Sequence, residues 1–244
     1  SFFIFSCSSK KDILYIQDSS NDQNLSVEYR EYLIKADDVL KIDISAEEPS
    51  AALFLNPRGA NSNLNSNKQS LLYNGYQVNP EGYINFPAIG KIKVAGISVS
   101  DLRNKIYSLI IGKGILNNPH VDIKILNTYF IVLGEVNKPG RYEFLENNLN
   151  ILEAIGMAGD LTITGDRKNV KIFRDGFEKK TLRSVDLTKS KFISNDDFQI
   201  FSGDIIIVNQ NKTRVKNAGI IGNSGTLLSL LSFILSSIIV ISNK

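Results

Sequence analysis

Residues suited to metal or redox chemistry are scarce in this chain. It contains one cysteine, Cys7, and one histidine, His120. A structural zinc site takes about four Cys or His ligands, and a disulfide takes two cysteines. His120 follows an Asn-Asn-Pro run at the start of a predicted strand, where a surface turn residue is the ordinary interpretation. We therefore expect no metal site and no cofactor.

Acid–base chemistry on a glycan would require two carboxylates that face each other across a cleft. The adjacent pairs Glu47-Glu48 and Asp196-Asp197 lie in turn-like stretches, where solvated turn residues are the better interpretation. The sequence also lacks the glycine-rich patterns of nucleotide sites and the GxSxG pattern of hydrolases. We predict a protein without enzymatic activity.

The charged residues are balanced and interleaved. The 244 residues include 28 basic and 25 acidic side chains, for a formal net charge of +3. A phosphate backbone would demand clustered basic residues, so nucleic acid is not an expected partner. The length suits one large domain or two small ones, and an apolar content of 43% is sufficient for a buried core.

The first residues combine an apolar run with the lone cysteine. Residues 2–5 precede Ser6-Cys7, an arrangement similar to the tail of a secretory signal followed by a bacterial lipobox. This interpretation predicts cleavage ahead of Cys7 and lipid on its sulfur, with the polar stretch 8–24 as a solvated tether. The alternative is a buried free cysteine in an N-terminal strand. We assign residues 1–31 to a signal-peptide remnant, lipobox and tether.

The last residues predict a membrane helix. Residues 226–242 carry no charge, and at ~1.5 Å per residue they would form a helix of roughly 26 Å, close to the ~30 Å hydrocarbon core. We assign residues 213–244 to a linker and a C-terminal transmembrane helix. Small residues at spacings of three and four form a stripe along it, made of Gly222, Gly225, Ser229, Ser232 and Ser236. This small-residue stripe predicts packing against copies of the helix or a pore lining, and the alternative is a plain anchor.

The region after residue 32 shows β character. An Asp37-Asp38 turn precedes a run in which apolar and polar residues alternate, from Leu40 to Ile44, which predicts a strand with one buried face. The Asn-rich stretch 51–76 has neither helical nor strand periodicity and is expected to be a long exposed loop.

Two more strands and a helix follow this loop. Ser98 is a good N-cap for a helix that ends at Gly112, just before Lys113-Gly114. The predicted strands are residues 83–86 and 91–94, and the turn residues around them are Gly82, Pro87, Gly90 and Gly96.

The second half of the chain predicts a small sheet crossed by one helix, an α+β unit. Asn150 caps a short helix that ends at Gly159. Pro139-Gly140 suits the two central positions of a type II turn. The predicted strands are residues 121–125, 129–133, 170–173 and 205–208, and the turn residues beside them are Gly134, Glu135, Pro139, Gly140, Gly203 and Asp204.

These phrases resemble those of a known family. Residues 37–42 and 82–96 resemble the polysaccharide export sequence domain, and residues 132–142 resemble the soluble-ligand-binding β-grasp (SLBB) domain. The chain is thus identified as a member of the polysaccharide export outer-membrane protein family, which includes the Wza-type capsule exporters. The resemblance implies an export-sequence domain at 32–126 and one SLBB domain at 127–212, ahead of the C-terminal transmembrane helix.

The resemblance also implies a function. Members are outer-membrane lipoproteins that assemble into a ring-shaped channel for capsular or extracellular polysaccharide, with the bulk of each subunit in the periplasm. The implied partners are copies of the chain itself, membrane lipid, the polysaccharide in transit and an inner-membrane polysaccharide co-polymerase. The alternative is a surface-anchored glycan-binding or structural lipoprotein without a channel.

Overall fold

A computed structural model describes residues 13–18, 26–56, 72–146, 148–176, 179–211 and 224–242. These residues form two β-rich units in series, followed by a C-terminal helix. Each unit has its own cluster of buried apolar side chains. Each unit contains both strands and a helix, in agreement with the predicted α+β class.

The first unit is built on a three-stranded antiparallel sheet. Its strands are β1 (Val39–Ser45), β2 (Tyr76–Gln77) and β5 (His120–Ile125), with β1 in the centre. The apolar residues of β1 point into the core, as their alternation predicts. Between them, Lys41 and Asp43 lie on the outer face and pair at 2.7 Å.

The loop predicted at 51–76 is wrong at both of its ends, because its first residues are helical and its last begin a strand. The helical segments are α1 (Pro49–Ala52) and a 3-10 turn (Leu53–Leu55). The Asn56 side chain then binds the edge of β1, accepting from the Ile44 amide at 2.9 Å and donating to the Ile44 carbonyl at 2.6 Å. Asparagine here completes a strand edge. Residues 57–71 lie outside the described part of the chain.

A hairpin and a capped helix complete the first core. They are β3 (Tyr83–Phe86), β4 (Gly90–Lys93) and α2 (Val99–Gly112). The Ser98 hydroxyl accepts from the Asp101 amide at 3.1 Å, so Ser98 caps the helix as predicted. One face of α2, formed by Leu102, Ile106 and Ile110, is fully buried.

The second unit contains a five-stranded sheet in which two parallel strands occupy central positions. Its elements are β6 (Tyr129–Gly134), β7 (Gly140–Glu143), α3 (Ile151–Met157), β8 (Gly165–Asp175), β9 (Lys180–Val185) and β10 (Ile205–Gln210). The order is β7-β6-β10-β8-β9, and only β10 and β6 pair in parallel among these strands. Asn150 and Glu153 form a capping box at the start of α3.

The type II turn predicted at Pro139-Gly140 is wrong. Gly140 does not have a positive φ; it is the first residue of β7 and pairs with Val132. Ladder pairing therefore holds this glycine in extended backbone. The left-handed backbone lies instead at the end of β6, where Gly134 has a φ of +92°. Left-handed backbone also occurs at Gly82, Gly90, Gly96, Gly159 and Gly203.

The C-terminal helix α4 (Ser224–Ser242) covers most of the uncharged segment. Within the residues that the structure describes, no helix is both long enough and apolar enough to cross a membrane, so the predicted transmembrane span is not supported. Gly225 and the stripe serines of α4 are exposed. Cys7 and Gly222 lie outside the described residues.

We expect Gly134→Ala to destabilise the second unit. An added Cβ would overlap the carbonyl oxygen of Val208 in β10, and the φ of +92° disfavours any side chain. The free energy of unfolding, measured by urea denaturation, should fall by roughly 2–4 kcal/mol.

Gly140→Ala is the matched control for this prediction. Nothing lies within 4 Å of a Cβ added at Gly140. Its effect should stay within about 1 kcal/mol. Equal denaturation midpoints for the two variants would contradict the role assigned to Gly134.

Candidate functional site

A buried ion pair lies at the face of the second unit that meets the first. Gly203, with a φ of +90°, turns the chain so that Asp204 enters the protein just before β10. The Asp204 side chain is 1% exposed and pairs with Arg174 of β8, which is 15% exposed. Arg174 donates from Nε to Oδ1 at 2.9 Å and from Nη2 to Oδ2 at 2.7 Å. Such a two-point contact fixes direction as well as distance.

The ion pair organises the turn between Gln199 and Asp204. The Phe201 amide donates to Oδ2 of Asp204 at 2.8 Å, and Arg174 Nη2 donates to the Gln199 carbonyl at 2.8 Å. The Arg174 guanidinium also lies 4.4 Å from the centre of the Phe201 ring. Residues 199–204 are therefore held in one conformation, ready to contact the first unit.

Gln199 makes a direct connection to the segment that enters the first unit. Its side-chain oxygen accepts from the Arg30 amide at 2.8 Å, and its Nε2 donates to the Arg30 carbonyl at 2.9 Å. The amide side chain thus imitates a strand partner. The Arg30 side chain pairs with Asp196 at 3.2 Å. Both side chains are about half exposed, so this ion pair contributes little to the stability of the junction.

Lys35 carries the second connection across the junction. Its Nζ donates to the Asp175 carbonyl at 2.7 Å and to the Ser202 carbonyl at 3.4 Å, both in the second unit. Burial lowers the pKa of Lys35, and the carboxylates of Asp204 and Asp38 oppose that shift. The Lys35 ammonium group thus donates its hydrogen bonds to backbone carbonyls of the neighbouring unit.

Tyr32 and Asp38 complete this junction cluster, which we define as Tyr32, Lys35, Asp38, Arg174, Gln199, Phe201 and Asp204. Asp38 accepts from the Lys35 amide at 2.8 Å and from the Tyr32 hydroxyl at 3.1 Å. Burial raises the pKa of Asp38, and burial together with the Asp38 charge raises the pKa of Tyr32. The centroids of the Tyr32 and Phe201 rings lie 6.4 Å apart, so ring contact also links the units.

An open recess of about 810 Å³ lies beside the junction cluster, between the two units. Its walls carry aromatic and apolar groups together with charges of both signs, which suits hydrogen bonding and ring contact with a polar ligand. Among the lining residues are Tyr29, Phe144 and Leu145, the cations Lys41, Arg103 and Lys124, and the anions Glu31, Asp122 and Glu146.

The expected solvated tether is wrong for residues 13–18, which lie against the second unit. The Ile16 and Gln17 amides donate to the carbonyls of Leu187 and Thr188 at 3.1 and 2.7 Å. Tyr15 and Ile16 pack on the second apolar core, and this burial holds the segment in place. The interpretation of residues 8–24 as a polar tether overlooks the apolar run Ile13-Leu14-Tyr15-Ile16, which is the signal that could have indicated this contact.

Three of the acidic residues singled out in the sequence have structural partners. Glu135 accepts hydrogen bonds from the hydroxyls of Thr162 and Thr164 at 2.7 and 2.6 Å. Asp197 pairs with Arg183 at 3.1 Å, and Glu48 accepts from the Ser50 hydroxyl. Neither adjacent carboxylate pair lines the recess. The described residues contain no group of three or more potential metal ligands.

Two sequence models match the two units. The model of the polysaccharide biosynthesis/export protein family matches residues 26–126, and the model of the SLBB domain matches residues 128–208. The chain belongs to the polysaccharide export family. This is a family of transport proteins and not of enzymes. The phrases around Asp38 and Asp204 therefore belong to different family domains, and the structure brings both into the junction cluster.

Curated relatives match part of the chain. The EPS I polysaccharide export outer membrane protein EpsA of Ralstonia nicotianae is 30% identical over 142 residues, which is 57% of this chain and 36% of the relative. The protein of the same name from Ralstonia solanacearum is 30% identical over 138 residues, 55% of this chain and 36% of the relative. The matched region thus spans about a third of these relatives.

Asp204→Asn is expected to lower the free energy of unfolding by roughly 2–4 kcal/mol, because it leaves the Arg174 guanidinium without its carboxylate. The double substitution Arg174→Met with Asp204→Leu should recover part of this loss, since no unpaired charge remains, although the Phe201 amide and the Gln199 carbonyl lose their partners. Chemical denaturation measures both variants.

Asp196→Asn serves as the exposed control for this prediction. Its pair with Arg30 is solvated, so the change should stay within about 1 kcal/mol. If both Asp→Asn variants lose the same stability, Asp204 has no special role.

Proposed function

We propose that this chain is a subunit of a ring-shaped channel in the bacterial outer membrane, through which capsular or extracellular polysaccharide leaves the cell. Lipid on Cys7 would attach it to that membrane, with the bulk of the chain in the periplasm. The names of the Ralstonia relatives support a role in export at the outer membrane. The observation that carries the proposal is the junction cluster, which ties the two family domains together.

Ring assembly requires a subunit of fixed shape. A head-to-tail interface closes into a ring only if each subunit presents its two surfaces at one angle, and a variable angle gives open chains. The Gln199–Arg30 hydrogen bonds and the Lys35 contacts restrict rotation between the units. This restriction supports a ring, whereas a monomeric surface lipoprotein has no need of it.

Passage of polysaccharide needs no catalytic group. A conduit works through weak, spread contacts with hydroxyl-rich chains, and synthesis at the inner membrane supplies the driving force. We propose that the ring contacts an inner-membrane polysaccharide co-polymerase on its periplasmic side. The mixed charges and aromatic groups of the recess suit such weak polar contacts.

Helix α4 supplies a surface for self-association. Its large apolar side chains are mostly exposed, and Phe233 is 71% exposed, so they require a cover in the assembled protein. The hydroxyls of Ser232 and Ser236 donate to the carbonyls of Leu228 and Ser232 within the same helix. The small-residue stripe would therefore act through close backbone approach and not through hydroxyl donors.

We expect electron microscopy of the detergent-extracted, full-length protein to show rings with a central hole. Deletion of the gene in the source bacterium should leave polysaccharide inside the cell, and the intact chain should restore its export. Particles without a hole, together with normal export in the deletion strain, would favour the surface-anchored glycan-binding lipoprotein instead.

Replacing Ser229, Ser232 and Ser236 together with leucine should abolish ring assembly or export. The change keeps α4 helical and apolar but fills the space that a neighbouring helix would occupy. Native gel electrophoresis and an export assay measure the two outcomes.

The matched control for α4 changes Leu228, Leu231 and Leu235 to isoleucine. The substitutions conserve side-chain volume and apolarity, so assembly should be nearly unchanged. Normal rings and normal export in the serine-to-leucine protein would mean that the stripe plays no part in assembly.

A further inference from the structure

The two parallel strands of the second unit give it two distinct ends. β6 and β10 both begin beside the junction cluster, where the Gly203 amide donates to the Tyr129 carbonyl at 2.7 Å. Both run away from the first unit and finish at the loop 160–165, where the Thr162 amide donates to the Glu135 carbonyl at 3.0 Å. We call this far end the anchor end.

The segment that follows Cys7 docks at the anchor end. The Tyr15 hydroxyl donates to Asp160, and the Arg167 guanidinium lies 5.2 Å from the centre of the Tyr15 ring. Tyr15 follows Cys7 by eight positions, so the Cα atoms of the two residues lie at most about 29 Å apart in an extended chain. Lipid on Cys7 would thus lie within this reach of the anchor end.

The chain also leaves for α4 from the anchor end. After β10, the Asn211 amide donates to the Thr164 carbonyl at 2.7 Å, and the Asn211 side chain donates to the Ile163 carbonyl at 3.2 Å. The entry from Cys7 and the exit toward the exposed apolar helix therefore meet at one loop. These two contacts are independent, and both point to the same end of the unit.

A buried arginine holds the loop 160–165 at the anchor end. Arg167, only 5% exposed, donates from Nη1 to the Thr162 and Gly165 carbonyls at 3.1 and 3.2 Å and from Nη2 to the Leu161 carbonyl at 3.3 Å. Its cationic side chain thus fixes the backbone on both sides of Ile163. Ile163 lies at the tip of this fixed loop and is 72% exposed.

We infer that the anchor end rests on a phospholipid surface, with Ile163 seated among the lipid headgroups of the membrane that carries the Cys7 lipid. This inference rests on the proposed lipid anchor. A fixed apolar tip beside the docked segment that follows Cys7 suits an interfacial contact. The sequence flanking the docked segments is basic, with Lys10 and Lys11 before them and Lys212, Arg214 and Lys216 after them, which favours anionic headgroups.

The test uses full-length lipidated protein bound to vesicles of phosphatidylethanolamine and phosphatidylglycerol. Ile163→Cys is labelled with an environment-sensitive fluorophore, and the vesicles contain lipid with a headgroup spin label as quencher. We expect quenching of the label at 163. Leu145→Cys is the matched control, since Leu145 is 78% exposed but lies beside the recess at the opposite end of the unit. Its label should keep its fluorescence.

Loss of the docked segment should separate attachment from orientation. Tyr15→Ala removes both the Asp160 hydrogen bond and the ring over Arg167. The protein should still float with the vesicles, but quenching at 163 should fall. Unchanged quenching in Tyr15→Ala would overturn the role of this contact.

The outcomes separate this inference from the proposed function. Vesicle-bound protein with no quenching at 163, equal quenching at 163 and 145, or shielding of 163 by a second copy would each overturn the inference and leave the lipid anchor standing. Protein without lipid on Cys7 that fails to float would instead overturn the anchor, and the inference would fall with it.

Discussion

The ion pair between Arg174 and Asp204 is the constraint on which the arrangement of the molecule depends. It sets the turn that carries Phe201 and Gln199, and these residues make the contacts to the first unit. Burial of a carboxylate is unfavourable unless its oxygens accept hydrogen bonds. Here two guanidinium N–H groups and a backbone amide donate to them. The local cost of burial is offset by a geometry that a solvated pair cannot provide.

The first unit contributes two ionisable groups, Asp38 and Lys35, whose charged forms are disfavoured by burial. Desolvation raises the pKa of Asp38 and lowers that of Lys35, so each prefers its neutral form more than it would in water. Their mutual attraction and their hydrogen bonds oppose these shifts. Separating the two units would expose Lys35 and leave the Asp175 carbonyl without its Nζ donor. The junction is thus stable only as a set, because each polar group depends on the others for a partner.

Local chemistry could be predicted from the sequence, and distant pairing could not. Ser98 and Asn150 cap helices because a side-chain oxygen next to a helical run has few other uses. By contrast, Asp204 and Arg174 are separated by thirty residues, and nothing in either neighbourhood specifies the other. The same holds for Tyr15 and Asp160. Gly140 shows a further limit, since ladder pairing overrode its turn preference.

The polar character of the junction has a consequence for assembly. Each unit folds around its own apolar cluster, so the hydrophobic effect stabilises the units but specifies no angle between them. Hydrogen bonds depend strongly on direction, and those from Gln199 and Lys35 are satisfied in one relative orientation. An apolar contact of similar size would allow the units to slide. Because small angular errors add around a closed ring, directional bonds of this kind support the ring assembly proposed above.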